Sequence, residues 1–373
     1  MMKNQNTSSD QMLFDSYILV ITFVMLVVGI TMVYSASSMI SIERYEDPFY
    51  YFKRQSLWII IGLGVLFYFQ QLSYEKLEKL ALPLLLVTIL LLALVLIPGI
   101  GKEVGGGRRW LPIGIGSLSF QPSELAKISL IIFFASFLTK KKEDLKSFQF
   151  GFLPVVAIIG FCSLLIFKEP DMGNAVLILA SLLTLFFVAG ARLTHISYFS
   201  LAMAPFAYFA LSSGFRAARI RAFLDPWSYS DGAGFQLIQS FYSFGRGGVF
   251  GEGLGNSQQK MLFLPEAHTD FIFSVIGEEF GLLGTLLVTF LFFVFAVRGF
   301  YIAKKAPDNF GKLLAVGITT LITYQALFNI AVTIGLVPTK GLPLPLISAG
   351  GSSMVFTLAS IGILLNISKA SKH

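Results

Sequence analysis

The chain of 373 residues is 55% hydrophobic and 13% charged, with a mean hydropathy of +0.75. A soluble protein of that length would expose an untenable apolar surface, so composition excludes a soluble enzyme and points to an all-α polytopic membrane protein, read as one domain over 1–373. The net charge of +7 suits anionic lipid head groups and not nucleic acid, the single Cys162 excludes an intramolecular disulfide, and His195, His268 and His373 are too scattered for a metal cluster.

The polar start, MMKNQNTSSDQMLFDS, leads into an apolar run from Tyr17 to Tyr34. That run matches a bilayer's thickness and exceeds a signal-peptide core, so it reads as an uncleaved first span although Ser35-Ala36-Ser37 resembles a cleavage site. A window of about 19 residues predicts about ten transmembrane helices, near 16–36, 55–71, 79–98, 122–139, 150–167, 171–190, 195–213, 270–298, 311–335 and 350–368. Lys140–Lys146, the Arg298–Lys312 loop and the Lys369–His373 tail then share one side, which the positive-inside rule makes cytoplasmic with both termini inside. The external loops near 99–121, 214–269 and 336–349 form the expected active face, the largest lying between helices 7 and 8. Lys102, Arg108 and Arg109 in the first, and Arg216, Arg219, Arg221, Arg246 and Lys260 in the second, stand outside against the usual bias and suggest an external anionic partner.

The first loop reads GKEVGGGRRWLPIGIGSLSFQPSELAK. Its glycines remove bulk before Arg108 and Arg109, a combination that suits phosphate recognition without being a Walker loop. Trp110 either anchors at the membrane interface or stacks on a sugar. Glu124 and Lys127, three apart on one helical face, either neutralise each other or line a polar cavity. In the second loop, Arg216, Arg219 and Arg221 share roughly one face if that stretch is helical, and arginine holds phosphate bidentately. The glycines crowded between Gly245 and Gly255 preclude an ordinary helix there.

Asp270 stands at the mouth of the eighth apolar run, either as a helix cap or as a functional carboxylate. Ser274, Gly277, Gly281 and Gly284 follow it at helical spacing, a stripe for close packing or a substrate cavity, and Glu278 and Glu279 would lie about 12–14 Å deeper by helical rise. His268, two residues before Asp270, joins the substrate-binding candidates. So does Ser352: Ser348–Ser353 either bends backbone amides toward an anion at the start of the tenth helix or forms a re-entrant structural loop.

VYSAS at 33–37, RRWLPIG, FQPSELAK, EPDMGNA at 169–175, RIRAFLDPW, GLGNSQQKMLFLPEAHTDFIFSVIGEEFG and KGLPLPLISAGGSS at 340–353 resemble the SEDS family (shape, elongation, division and sporulation) from the first span to the last. The LPEAHTDFIFSVIGEE and TKGLPLPLIS segments look more like its division branch than its elongation branch, with sporulation members close to both. The resemblance implies an inverting peptidoglycan glycosyltransferase that polymerises lipid II outside the cytoplasmic membrane, at the division septum. It also implies a class B penicillin-binding transpeptidase as partner through helices 8 and 9, alongside other divisome membrane proteins. The family's essential acid maps onto Asp270, its loop tryptophan onto Trp110, and its cavity-facing Glu and Lys onto Glu124 and Lys127. Two departures stand out: Ala349 where relatives usually carry Tyr, and Lys168-Glu169 before Pro170-Asp171 where Gln is common.

On this expectation Asp270 is the general base. Arg108, Arg109, Arg216, Arg219, Arg221 and Lys127 are the candidate cations for the departing diphosphate. A divalent cation, Mg or Mn, could assist there, although no DxD or His cluster specifies one. The alternatives are a lipid II flippase, a polymerase of the elongation or sporulation branch, and a scaffold without chemistry.

Overall fold

The computed structural model describes residues 14–104, 107–112, 119–141, 147, 152–195, 197–198, 201, 214–260 and 264–371. Its helices are α1 (Ser16–Tyr45), α2 (Tyr50–Gln71), α3 (Tyr74–Val95), α4 (Pro122–Lys140), α5 (Leu153–Lys168), α6 (Met172–Val188), α7 (Gly214–Leu224), α8 (Phe235–Gly247), α9 (Ile272–Lys305), α10 (Asn309–Thr333) and α11 (Gly351–Ala370). Among the described residues, α1–α4 and α9–α11 are long and apolar enough to cross a membrane, and α5 and α6 are shorter apolar helices. α1–α6 and α9–α11 fall on nine of the expected spans, the eighth of them interrupted, while the seventh, at 195–213, lies largely outside the described residues. One element was not anticipated. The glycine-rich first loop folds back as an antiparallel sheet of β1 (Lys102–Val104), β2 (Gly107–Pro112) and β3 (Ser119–Phe120), pairing Lys102 with Trp110 and Leu111 with Phe120.

Helix starts follow local chemistry. Asp15, Asp171 and Asp308 accept the backbone N–H groups of Ile18, Asn174 and Gly311 at 3.1, 3.2 and 2.7 Å, each satisfying an orphan donor of a first turn. Pro122 opens α4, where its missing N–H is not needed. The central helices α4, α10 and α11 are mostly buried, whereas α2, α3 and α9 turn long apolar stripes outward.

Contacts between α1 and α9 set the length of the bundle. Asp15 pairs with Arg298 near the start of α1, and Ser35 Oγ donates to Glu279 Oε1 at 2.6 Å further along. Twenty residues of α1 separate these levels, about 30 Å by helical rise, comparable with the thickness of a hydrocarbon core.

The eighth expected span needs correction, because α9 is not one continuous rod. Gly281 sits at φ 62° and ψ −158°, and an added Cβ would lie 2.5 Å from both Gly251 N and Val249 O. Only glycine fits that break. Before it, the chain climbs with α10: Asn329 reaches the Asp270 carbonyl, while Ser240 joins Ser274 to the Thr333 carbonyl at the end of α10. After it, residues 282–305 descend antiparallel to α1. The break also interrupts the expected stripe, so Gly284 does not share a helical face with Asp270. Glu278 and Glu279 accordingly lie beyond Asp270 in the direction of the Thr333 end of α10, not deeper along a single rod. Both are buried and paired: Glu279 with Lys260 Nζ at 2.7 Å, and Glu278 with Ser257 Oγ at 2.6 Å and the Gln258 N–H at 2.9 Å. A buried charge needs such partners, and these tie the glycine-rich 248–260 segment to α1 and α9.

Candidate active site

At one end of the bundle, residues of α2, α4, α6 and α11 surround a cavity of about 330 Å³. Gln55 and Trp58 of α2 line it, with Arg109 and Trp110 of β2, Gln121 and Glu124 at the start of α4, and Asp171 and Asn174 at the start of α6. Glu266, His268, Thr269 and Asp270 complete the wall with Gly341, Pro343 and the 349–351 turn.

Asp270 is half-buried and caps nothing, since the N-cap of α9 is Phe271 and no side chain bonds the first-turn amides. Of the two readings open at the sequence level, the cap is therefore not what the structure contains. Burial pushes the Asp270 carboxyl up to about 7, the Glu266 carboxylate adds to that, and the Arg219 guanidinium pulls it back, with smaller contributions from Asp171 and Arg109. A Cβ at position 341 would stand 2.7 Å from Asp270 Oδ2, so the backbone at Gly341 abuts the carboxylate as only glycine can.

The turn below is held from several sides. Ser348 Oγ donates to the Thr269 carbonyl at 2.5 Å, the Ala349 N–H to the His268 carbonyl at 2.9 Å, and Gln55 Nε2 to the Ser348 carbonyl at 3.2 Å. Position 349 thus docks through its backbone, which Ala does as well as Tyr. The His268 ring lies 4.5 Å from that of Tyr51, and burial lowers its pKa, so it is neutral at pH 7.

The predicted cations are not equivalent. Arg219 donates to the Thr339 carbonyl at 3.2 Å and faces Asp270 electrostatically. Arg216 lies 4.2 Å over the Phe167 ring and faces Lys340, whose pKa falls through burial and through Arg219 and Arg216. Arg109 donates to the carbonyls of Glu169 and Pro170 at 2.9 and 3.0 Å, fastening β2 to the α5–α6 turn. Arg221 is exposed on another face of α7, and Arg108 is half-exposed against Glu103 at 3.4 Å, so neither joins the cluster. Lys127 is buried in a 2.8 Å pair with Glu124 and a 2.9 Å bond to Gln325, so its charge is engaged inside the protein and does not face the cavity. Ser352 is buried without a hydrogen-bond partner for its hydroxyl, and Ser353 lines the cavity in its stead.

Sequence reasoning passed over Lys340, Asp171, Asn174, Gln55 and Trp58. Lys340 carried a signal, as a lone cation in a proline-stiffened external loop. Trp58 and Gln55 carried none, since an aromatic and an amide early in an apolar span look like ordinary packing. At the EPDM departure, burial and the neighbouring Asp171 push the Glu169 carboxyl up to about 9, with Arg109 opposing, so it stands as a neutral acid close in shape to Gln. Among the described residues no three His, Cys, Asp or Glu side chains converge as a metal-ligand set.

The helices and this cavity define a polytopic membrane protein with a polar site at one end of the helix bundle. A family model described as cell cycle protein, covering FtsW, RodA and SpoVE, matches residues 16–373. The chain therefore belongs to the FtsW/RodA/SpoVE family, the SEDS proteins. It is 43% identical over 360 residues to a probable peptidoglycan glycosyltransferase FtsW of Geobacter metallireducens, covering 96% of both chains. It is 40% identical over 373 residues to the stage V sporulation protein E of Bacillus subtilis, covering all of each. Among solved structures, a chain of a peptidoglycan synthase complex that coordinates polymerization and crosslinking superposes with a TM-score of 0.78 at 30% identity, covering 96% of this chain and 98% of that one. The rod shape determining protein RodA of Thermus thermophilus gives 0.69 at 27% identity, covering 97% and 99%.

Proposed function

We propose that this protein is a peptidoglycan glycosyltransferase that polymerises lipid II at the outer face of the cytoplasmic membrane, for septal wall synthesis in cell division. The observation that carries the proposal is the juxtaposition of Asp270, a carboxyl poised near neutrality, with the Arg219, Arg216 and Lys340 cations, beside a cavity of carboxylates, amides and tryptophans suited to sugars. The lipid II acceptor presents the 4-hydroxyl of its GlcNAc, and Asp270 takes that proton as the oxygen attacks C1 of the donor MurNAc. The C1–O bond to the diphosphate breaks with inversion to a β-1,4 linkage, and the electron pair leaves on undecaprenyl pyrophosphate. General-base help typically contributes about 10²–10⁴-fold, and preorganised cations at the developing charge a similar factor. An inverting transfer needs only one such carboxylate, because no covalent enzyme intermediate forms.

The exposed apolar face of α9, including Leu282, Leu286, Phe290 and Phe293, offers a surface on which the single helix of a class B transpeptidase would pack beside α10. The synthase complex among the structural relatives supports a partner of that kind. Polymerisation of lipid II by purified protein with such a partner tests the reading, with Asp270→Asn as the control. Transfer of lipid II between leaflets without polymer would establish a flippase instead.

A further inference from the structure

We propose that Asn329 is a positioning residue, which fixes the Asp270 backbone against the 339–342 segment and thereby sets the spacing between the base and the cations that receive the diphosphate. The inference rests on the polymerase reading above. Asn329 lies on α10, 1% exposed, and its Nδ2 donates to the Asp270 carbonyl at 2.7 Å and to the Leu342 carbonyl at 2.8 Å. Both amide hydrogens are thus spent on two separate chain segments. The opposite flip would set Oδ1 against two carbonyls, so the amide orientation follows from its partners.

The second segment carries the site's charge in consecutive residues. The Thr339 carbonyl anchors Arg219, Lys340 supplies an ammonium, Gly341 abuts the Asp270 carboxylate, and Leu342 hangs on Asn329. One turn along α10, Gln325 Nε2 holds the Pro343 carbonyl at 2.8 Å, while its Oε1 accepts from Lys127. Glu124 and Lys127 thus act as a brace behind this amide ladder. The groups facing Asp270 are Glu266 of its own turn, Arg219 of α7, Asp171 at the start of α6 and Arg109 of β2, with Lys340 adjoining through Arg219. Releasing the 339–342 segment moves Arg219 away from Asp270 and leaves the carboxylates Glu266 and Asp171 in place.

Misplacement of a reacting group by about 1 Å can lower the rate about 10²-fold. The test uses the full-length protein with its transpeptidase partner and lipid II, comparing wild type with Asn329→Leu, which keeps the shape and loses both donors. The expected result is a fall in kcat of about 10²-fold, a KM for lipid II within about twofold, and an acid limb of the pH–rate profile displaced upward. Asn329→Ser, a small change that retains one donor, should lower kcat and raise the acid limb by less, with KM again nearly unmoved, and covers the case in which the Leu variant does not fold. If Asn329 merely satisfies buried backbone, the folded variants would keep kcat within about threefold, or lose it with an unmoved acid limb, and either result overturns the proposal.

A second measurement needs no catalysis. Carbodiimide labelling of the Asp270 carboxyl against pH, read by peptide mass spectrometry, should show its titration displaced upward in Asn329→Leu. An unmoved titration would overturn the proposal. A wild type that polymerises nothing would refute the polymerase reading alone, leaving this labelling result to stand or fall by itself.

Discussion

Two aspartates line the same cavity, and their surroundings differ in kind. Asp171 caps α6 and is saturated with donors: the Asn174 N–H on Oδ1, and Gln121 Nε2, Asn174 Nδ2 and Ser123 Oγ on Oδ2, at 3.2, 2.9, 2.8 and 3.2 Å. Asp270 caps no helix, and burial beside Glu266 raises its pKa to about 7. A carboxylate whose two oxygens are both engaged by donors is held in place as part of the wall, whereas a carboxyl poised near neutrality can take a proton and return it. The two turns therefore divide the labour, with the α5–α6 turn building the wall and the 266–271 turn supplying the reactive group.

The sharpest way to break this contrast is Asp270→Asn. It should lower lipid II polymerisation about 10³-fold, within the usual range for a lost general base, with the protein still folded as judged by gel filtration. A variant that made glycan strands at the wild-type rate would leave the contrast without chemical meaning. Next comes pH. The base must be ionised to work, and the environment raises its pKa, so the rate should climb through about pH 7 and fall about tenfold for each pH unit below it. A rate flat from pH 5 to 8 would contradict the raised Asp270.

The same contrast was only half legible in the sequence. Periodicity and length located the spans, because a bilayer imposes a long apolar run whatever the neighbours, and the starts at Asp15, Asp171 and Asp308 follow local capping rules. Asp270 could be singled out as a carboxylate at the mouth of an apolar run, but its depth could not. The extrapolation of one straight helix through Gly281 placed Glu278 and Glu279 below Asp270, whereas a positive φ at a single residue reverses the chain. Nothing in a hydropathy window registers such a turn. The cations failed for a related reason. Arg216 and Arg219 reach the site and Arg221 does not, because that choice depends on how α7 is rotated against the rest of the protein. Lys127 was open to both readings, pairing with Glu124 or lining a cavity, and the choice turns on Gln325, far away in sequence, which accepts from it.

Lys340→Gln probes the cation half of the site. Removing one partly buried ammonium near the leaving diphosphate should cut kcat about 10-fold to 10²-fold, since Arg219 and Arg216 remain. The acid limb of the pH profile should stay near its wild-type position, because Lys340 is not among the groups that shift Asp270. If KM rose and kcat held, Lys340 would contribute equally to ground-state and transition-state binding, and the diphosphate assignment would weaken.

The smallest effect, and the one that sharpens the comparison most, is expected from Asp171→Asn. The Asn oxygen can occupy one of the two carboxylate positions, and its Nδ2 must then face a donor at the other. That loses either the α6 cap or the bonds from Gln121 and Asn174, about 1–2 kcal/mol of stability, visible as a lower Tm in detergent. At pH 8 the rate should stay within about threefold of wild type, because Asp171 transfers no proton in the proposed reaction. Its negative charge is one of the groups that raise the Asp270 pKa, so neutralising it should move the acid limb of the pH profile downward. Asp171→Asn would thus be less stable yet retain more of its activity in mild acid. A loss as deep as that of Asp270→Asn would instead make Asp171 the base, and the saturated hydrogen bonds around it would then need to rearrange when substrate binds.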